Sequence, residues 1–318
     1  MRRLIFLIAP IPTIAVSIAL ATWARHDPHG IATRNVIDRQ ESPPTIPIED
    51  LPAASTDLQQ DCEVTADRWR SKLGPECTVL VRAPFVLAGD MPESDLERAY
   101  QRTIQPATAA MANDYFDNEP YAPISLLVFT HETTYTKYAE RLFGQKDISI
   151  YGYYKPASRT LILNLGTGGG TLVHELTHAL IDFDFPSVPV WFNEGLASLH
   201  EQCRFDKDDN EHLHIEGLSN WRLPILQQAI AANHVQSLQS LATTPHFLGD
   251  DEAINYAHAR YLCMFLQQRG LLTRFYKEFR DNVADDPRGD ATLLSLFPGK
   301  TWQDLDNEFR RWVLRLQR

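Results

Sequence analysis

Apolar positions fall in short extended runs over much of the first half of the chain and in helical spacing over the second. Val79 to Leu87 (VLVRAPFVL) predicts a strand region and Ile124 to Thr130 (ISLLVFT) a buried strand. Between them, Leu96, Tyr100, Ile104 and Met111 place one helical stripe on Glu93 to Phe116, and Thr134 to Phe143 reads as a further short helix. Ile148 to Tyr154 and Arg159 to Leu165 flank the turn segment Lys155-Pro156-Ala157-Ser158 and predict a hairpin, which the glycine-rich stretch Gly166 to Gly170 closes. From Thr171 onward nearly everything reads as helix. Glu252 to Arg269 is closed by Gly270, and Leu271 to Val283 follows. Thr301 to Leu316 opens on Thr301 as N-cap, with Asp304 three residues on and Trp302, Leu305, Phe309, Trp312, Val313 and Leu316 as its stripe. Strands first and helices afterward predict an α+β fold with two lobes and a cleft between them, and no internal repeat is visible.

Hydrophobicity is concentrated at one place. Met1 to Ala24 carries two arginines, then 21 residues without a charge, then small residues at Ala19-Leu20-Ala21 and near Ala24. This predicts an export signal cut after Ala21 or Ala24, or an uncleaved membrane anchor whose helix Pro10 and Pro12 would disturb. Arg25 to Gln60, with five prolines and few aromatics, reads as a disordered tether, because it buries too little to offset its ordering entropy. The folded domain is therefore expected over 61–318, with a β-rich lobe to about 180 and a helical lobe from 181. Across all 318 residues, 30 Lys and Arg against 41 Asp and Glu give a net charge of −11, with no basic run. That balance excludes a nucleic-acid binder, which needs a basic face for phosphate. Export would place the four cysteines in an oxidising compartment, where Cys62 with Cys77 and Cys203 with Cys263 are the favoured pairs against free buried thiols.

The chemistry is concentrated in His174-Glu175-Leu176-Thr177-His178. On a helix, residues four apart share a face, so His174 and His178 can grip one cation while Glu175 points beside it. Two neutral imidazoles plus a carboxylate able to take a proton from water is the donor set of zinc hydrolysis. The chain then passes through Phe185-Pro186-Ser187-Val188-Pro189 into Val190-Trp191-Phe192-Asn193-Glu194-Gly195-Leu196-Ala197. A helix starting beside Pro189 would bring Glu194, 16 residues after His178, back as third ligand and leave a fourth position open, as in catalytic zinc sites. His212 and His214 alternate as on an extended segment and could take a second ion, although a polar loop after Asp206 to Asp209 explains them as well. No GxSxG and no Walker loop occurs.

HELTHALID and WFNEGLA together resemble the zincin metallopeptidases with two His and one Glu ligand, the gluzincin or peptidase MA-like superfamily, most of all its bacterial exported members. The resemblance covers about 80–282 and implies a zincin-like α+β fold: a mixed sheet with the HExxH helix in one lobe, a helical second lobe and an active-site cleft between. It implies one Zn2+ per chain on His174, His178 and Glu194, with Glu175 as general base. It further implies that Leu161 to Leu165 is the sheet edge for an extended peptide, that Asp182 orients a ligand histidine, and that Ser198 stands where relatives carry an acid. Such enzymes place a Tyr or His on a later helix as oxyanion donor. Here Tyr256 lies off the apolar stripe that holds Tyr261, and His258 is the runner-up. The expected function is an exported zinc metallopeptidase acting on peptides or proteins, with a catalytically silent zincin-fold binding scaffold as the alternative.

Overall fold

The computed structural model describes residues 57–144 and 149–317. The predicted export segment Met1 to Ala24 and the tether up to residue 56 lie outside the described residues. Among the described residues, no helix is long and apolar enough to cross a membrane.

The first helix, α1 (Leu58–Leu73), begins inside the stretch whose composition suggested a tether. Asp57 caps it by accepting the N–H groups of Gln59 and Gln60 at 3.1 and 3.2 Å. Cys62, Ala66, Trp69 and Leu73 then share one buried face, and Trp69 Nε1 donates to Ser125 Oγ at 2.8 Å, fixing the helix to the central sheet. Val79 to Leu87 is two strands rather than one. β1 (Thr78–Arg82) and β2 (Phe85–Gly89) pair antiparallel about Ala83-Pro84, since proline cannot donate to a continuing ladder. The stripe on Glu93 to Phe116 is helical throughout but interrupted. α2 (Glu93–Ala99) and α3 (Gln105–Asp114) flank one wide π turn over Tyr100–Ile104, which ends two residues before Pro106, whose ring and missing N–H disturb a regular α ladder.

β3 (Ile124–Phe129), α4 (Glu132–Phe143), β4 (Gly152–Lys155) and β5 (Thr160–Asn164) complete a five-stranded mixed sheet in the order β1-β2-β3-β5-β4. β2, β3 and β5 run parallel, with antiparallel strands at both edges. Parallel strands are buried on both faces. Accordingly Val86, Ala88, Leu127, Phe129 and Ile162 face α1 and α4, while Leu87, Leu126, Val128, Leu161 and Leu163 face the larger core. The expectation that Leu161 to Leu165 forms the sheet edge is overturned. β5 is buried at every position, and the half-exposed β4 holds the edge.

Next come α5 (Gly170–Asp184) and α6 (Val190–His200). The reading of nearly everything after Thr171 as helix holds except at β6 (Cys203–Lys207) and β7 (Leu213–Gly217), an antiparallel hairpin whose second strand carries His214. Six helices follow: α7 (Leu223–Ala231), α8 (Leu238–Thr243), α9 (Glu252–Gln267), α10 (Leu272–Asn282), α11 (Asp290–Ser295) and α12 (Trp302–Val313). Thr301 and Asp304 form the expected reciprocal cap on α12, each side chain accepting the other's backbone N–H. The architecture is α+β, a mixed sheet between helices followed by a mostly helical second half.

All four cysteines are free thiols, against both expected pairs. Cys62 lies 12 residues before Gly74 on or at the end of α1, about 18 Å of helix rise, while the Cys77 N–H bonds the Gly74 carbonyl at 3.3 Å. A disulfide needs Cα atoms within about 7 Å. Cys77 instead donates to the Tyr138 hydroxyl at 3.4 Å. Cys203 and Cys263 both pack in the large core near Tyr115 and remain unjoined, with burial pushing the Cys203 thiol up to about 12.

Candidate metal centre

α5 is anchored by its buried face, Leu172, Val173, Leu176, Ala179, Leu180 and Ile181, which leaves His174 and His178 one turn apart on the opposite side. Pro189 precedes α6 in extended conformation and sets the reversal that returns Glu194 to α5. Two glycines permit the close packing. A Cβ on Gly170 would lie 2.4 Å from the Glu201 carbonyl oxygen, so α5 starts directly against the end of α6. A Cβ on Gly195 would lie 3.0 Å from the Ala259 carbonyl oxygen, so α9 can approach close behind Glu194.

His174 Nε2 and His178 Nε2 are 3.1 Å apart, and Glu194 Oε2 is 3.5 Å from each. Among the described residues, this is the one group of three or more His, Cys, Asp or Glu side chains that can hold a metal ion. A tetrahedral ion with bonds of about 2.0–2.1 Å sets its ligands about 3.3–3.4 Å apart, so the three donor atoms fit one face of such a site. Glu194 Oε2 is buried with no hydrogen-bond partner, the state of an acceptor reserved for a cation.

The surroundings orient the donors. His178 Nδ1 donates to Asn193 Oδ1 at 2.8 Å, which turns Nε2 toward His174 and Glu194. His174 Nδ1 lies 3.3 Å from Glu201 Oε1. Burial opposes a proton on His174, but Glu194, Glu201 and Glu175 outweigh it and lift the imidazole to about 10. His178 is raised in the same way against burial, chiefly by Glu194. Burial also works against charge on Glu194, yet the two imidazoles hold its carboxyl far below the ordinary range. Glu201 is likewise held down to about 2, against burial, by His174 and Arg222. The cluster therefore attracts positive charge, as a proton or as a cation.

Glu175 is 8% exposed and sits beside the imidazoles. Burial raises its pKa while His174 and His178 oppose the rise, with a smaller pull in the same direction from the Tyr154 N–H. That N–H is on the open side of the edge strand. The Asn164 N–H bonds the Tyr151 carbonyl at 2.9 Å, so in register it is 151, 153 and 155 that pair with β5, and Tyr154 that points outward.

The structure brings Tyr256 to the group and takes His258 away. The Tyr256 phenol faces Glu194, and burial followed by the Glu194 charge keeps it protonated. His258, two residues on and so about 200° around the helix, is fully buried against Phe309 with ring centroids 5.3 Å apart, and burial plus Arg310 lowers it to about 3. Asp182 orients no ligand histidine. It accepts the Tyr154 hydroxyl at 3.0 Å, while the outer imidazole nitrogens face Asn193 and Glu201. The Ser198 hydroxyl is buried without a hydrogen-bond partner. His214 sits at the β6–β7 hairpin, 2.6 Å from Asp114 and 3.5 Å from Asp208, with His212 3.6 Å from Asp208. These contacts are ion pairs remote in sequence from the centre.

Two residues escaped the sequence reading, Asn193 and Glu201. A signal for Glu201 existed, since it follows Glu194 by seven residues, two turns along one helix face. Set against known proteins, the chain matches no family model and no curated protein.

Proposed function

We propose that this chain is an exported, zinc-dependent metallopeptidase of gluzincin type. The observation that carries the reading is the triangle of His174 Nε2, His178 Nε2 and Glu194 Oε2, with edges of 3.1, 3.5 and 3.5 Å, next to a buried carboxylate on Glu175. His174, His178 and Glu194 would hold the ion. Bound there, zinc supplies Lewis-acid polarisation of a scissile carbonyl and acidifies a water molecule. Glu175 takes the proton from that water and returns it to the leaving amine. Its raised pKa makes the carboxyl a better match for both transfers than an ordinary glutamate. Tyr256, kept protonated, donates its hydroxyl to the developing oxyanion.

The peptide lies along β4, the edge strand whose Tyr154 N–H turns outward on the side of Glu175, so strand addition would bring a carbonyl beside the catalytic carboxylate. In this reading the sheet with α5 forms one lobe of a zincin-like domain, the helices after α6 form the other, and the substrate runs in the cleft between. The uncharged stretch after Arg3 delivers the domain out of the cytoplasm or holds it at a membrane.

The test is cleavage of a peptide library, read by mass spectrometry, for wild type and Glu175→Gln. Wild-type cleavage, lost in Glu175→Gln while zinc is retained, is the expected result. No cleavage by the zinc-loaded wild type, or a fully active Glu175→Gln, refutes the proposal, and the former favours a binding scaffold.

A further inference from the structure

Arg222 stands just before α7 in the segment Asn220-Trp221-Arg222, outside both sequence motifs. Its guanidinium grips Glu201 as a fork, Nε to Oε2 at 3.2 Å and Nη2 to Oε1 at 2.8 Å. Asn220 Nδ2 donates to the same Oε2 at 3.2 Å, and the Arg222 N–H bonds Asn220 Oδ1 at 3.0 Å. Glu201 Oε1, held from that side, is the oxygen 3.3 Å from His174 Nδ1.

The other surface of the guanidinium is occupied as well. It stacks over the Tyr256 ring at 5.2 Å and over the Trp221 ring at 4.3 Å. Tyr256 in turn lies near enough to Glu194 to feel its charge. The contacts therefore run unbroken from His174 through Glu201 and Arg222 to the ring of Tyr256.

We infer that Arg222 is a positioning residue for this centre, fixing through Glu201 the ring orientation of His174 and through stacking the place of Tyr256. The inference rests on the metallopeptidase reading of the same site. It assigns to Glu201, seven residues after the third ligand, the carboxylate that the resemblance led one to expect at Ser198. It also gives a reason for arginine rather than lysine. Only a planar fork can bond both carboxylate oxygens while presenting its faces to two aromatic rings.

The test uses the full chain with Zn2+ affinity measured by chelator competition and the visible spectrum of the Co2+ form. Wild type, Glu201→Gln, Arg222→Met, Arg222→Lys and the double variant Glu201→Gln/Arg222→Met are compared. Zn2+ affinity is expected to fall 10–100-fold in each single variant, the range for losing a carboxylate behind a ligand histidine, with a changed Co2+ band. The double variant should bind no more weakly than the worse single one, because both act through one contact. Arg222→Lys keeps the charge and the stem, so it answers the question should Arg222→Met fail to fold, and it should still lose affinity. Tight binding by wild type with unchanged affinity and spectrum in Arg222→Lys and Glu201→Gln overturns this inference alone. Additive losses in the double variant overturn the coupling. A wild type that takes up no metal overturns it together with the proposed function.

Discussion

Asp184 closes the C-terminal end of the helix that carries His174, Glu175 and His178, and its side chain is wholly buried. Its Oδ1 accepts the N–H groups of Asp117 and Asn118 at 2.9 Å each and the Asn118 amide at 3.0 Å. Oδ2 accepts the Tyr276 hydroxyl at 3.0 Å and Arg280 Nη1 at 2.9 Å. The substitution Asp184→Ala leaves two backbone donors and a phenol without their acceptor, beside an arginine 13% exposed. Removing one partner of a buried pair costs about 3–5 kcal/mol. Arg280 keeps Asp117 and Asp281 as neighbours, so the lower end, about 3 kcal/mol, is the expected loss. At about 2–4 °C per kcal/mol this lowers Tm by about 6–12 °C. The assay is urea and thermal unfolding of metal-free protein, in which the midpoint should fall without a change in m. Metal binding should survive, because His178 lies six residues up the helix, about 9 Å along its axis. A companion pair, Asp184→Leu with Arg280→Met, should recover part of the loss, since no buried charge is left alone. A loss below about 1 kcal/mol in Asp184→Ala would refute the view that this carboxylate ties α5 to α10 and the segment before β3.

Other predictions follow from packing and protonation. Gly195→Ala puts a methyl group 3.0 Å from the Ala259 carbonyl oxygen and 3.1 Å from its Cβ, so it should cost about 1–3 kcal/mol and, by moving α9 and with it Tyr256, weaken metal binding in a chelator assay. His214 is raised above its ordinary 6.5, first by its hydrogen bond to Asp114 and then by Asp208. A histidine raised on folding contributes stability that is complete below about 6.5 and is lost as pH climbs through the raised value. Asp114→Asn should flatten that part of the stability–pH curve, and an unchanged slope above 6.5 would show that the pair contributes nothing.

What the chain declares about itself depends on whether an element is local. The centre was legible because its parts are local: four residues place two histidines on one helix face, and Pro189 with the run to Glu194 starts the next helix where a third ligand can return. Periodicity likewise marked α9, α10 and α12 and separated Tyr256 from the buried stripe of Tyr261. Partners chosen by tertiary packing were harder to read. Alternation at Cys203 and Phe205, and again at Leu213 and Ile215, was present, but five-residue strands around an acidic turn did not stand out against the surrounding helices. A hairpin pattern states that β4 and β5 pair without stating which continues into the sheet, and the continuous burial of β5 decided that. Cys62 and Cys77 are near in sequence yet separated by the length of a rigid helix. His258 could have been set aside from the sequence, since two residues on a helix cannot share a face with Tyr256.

The central claim is that three side chains form one catalytic metal site. Its most direct test is zinc content per chain after reconstitution and desalting, for wild type and Glu194→Ala side by side. One zinc per wild-type chain and essentially none in Glu194→Ala is the predicted result. Equal zinc in both, or none in the wild type, would contradict it.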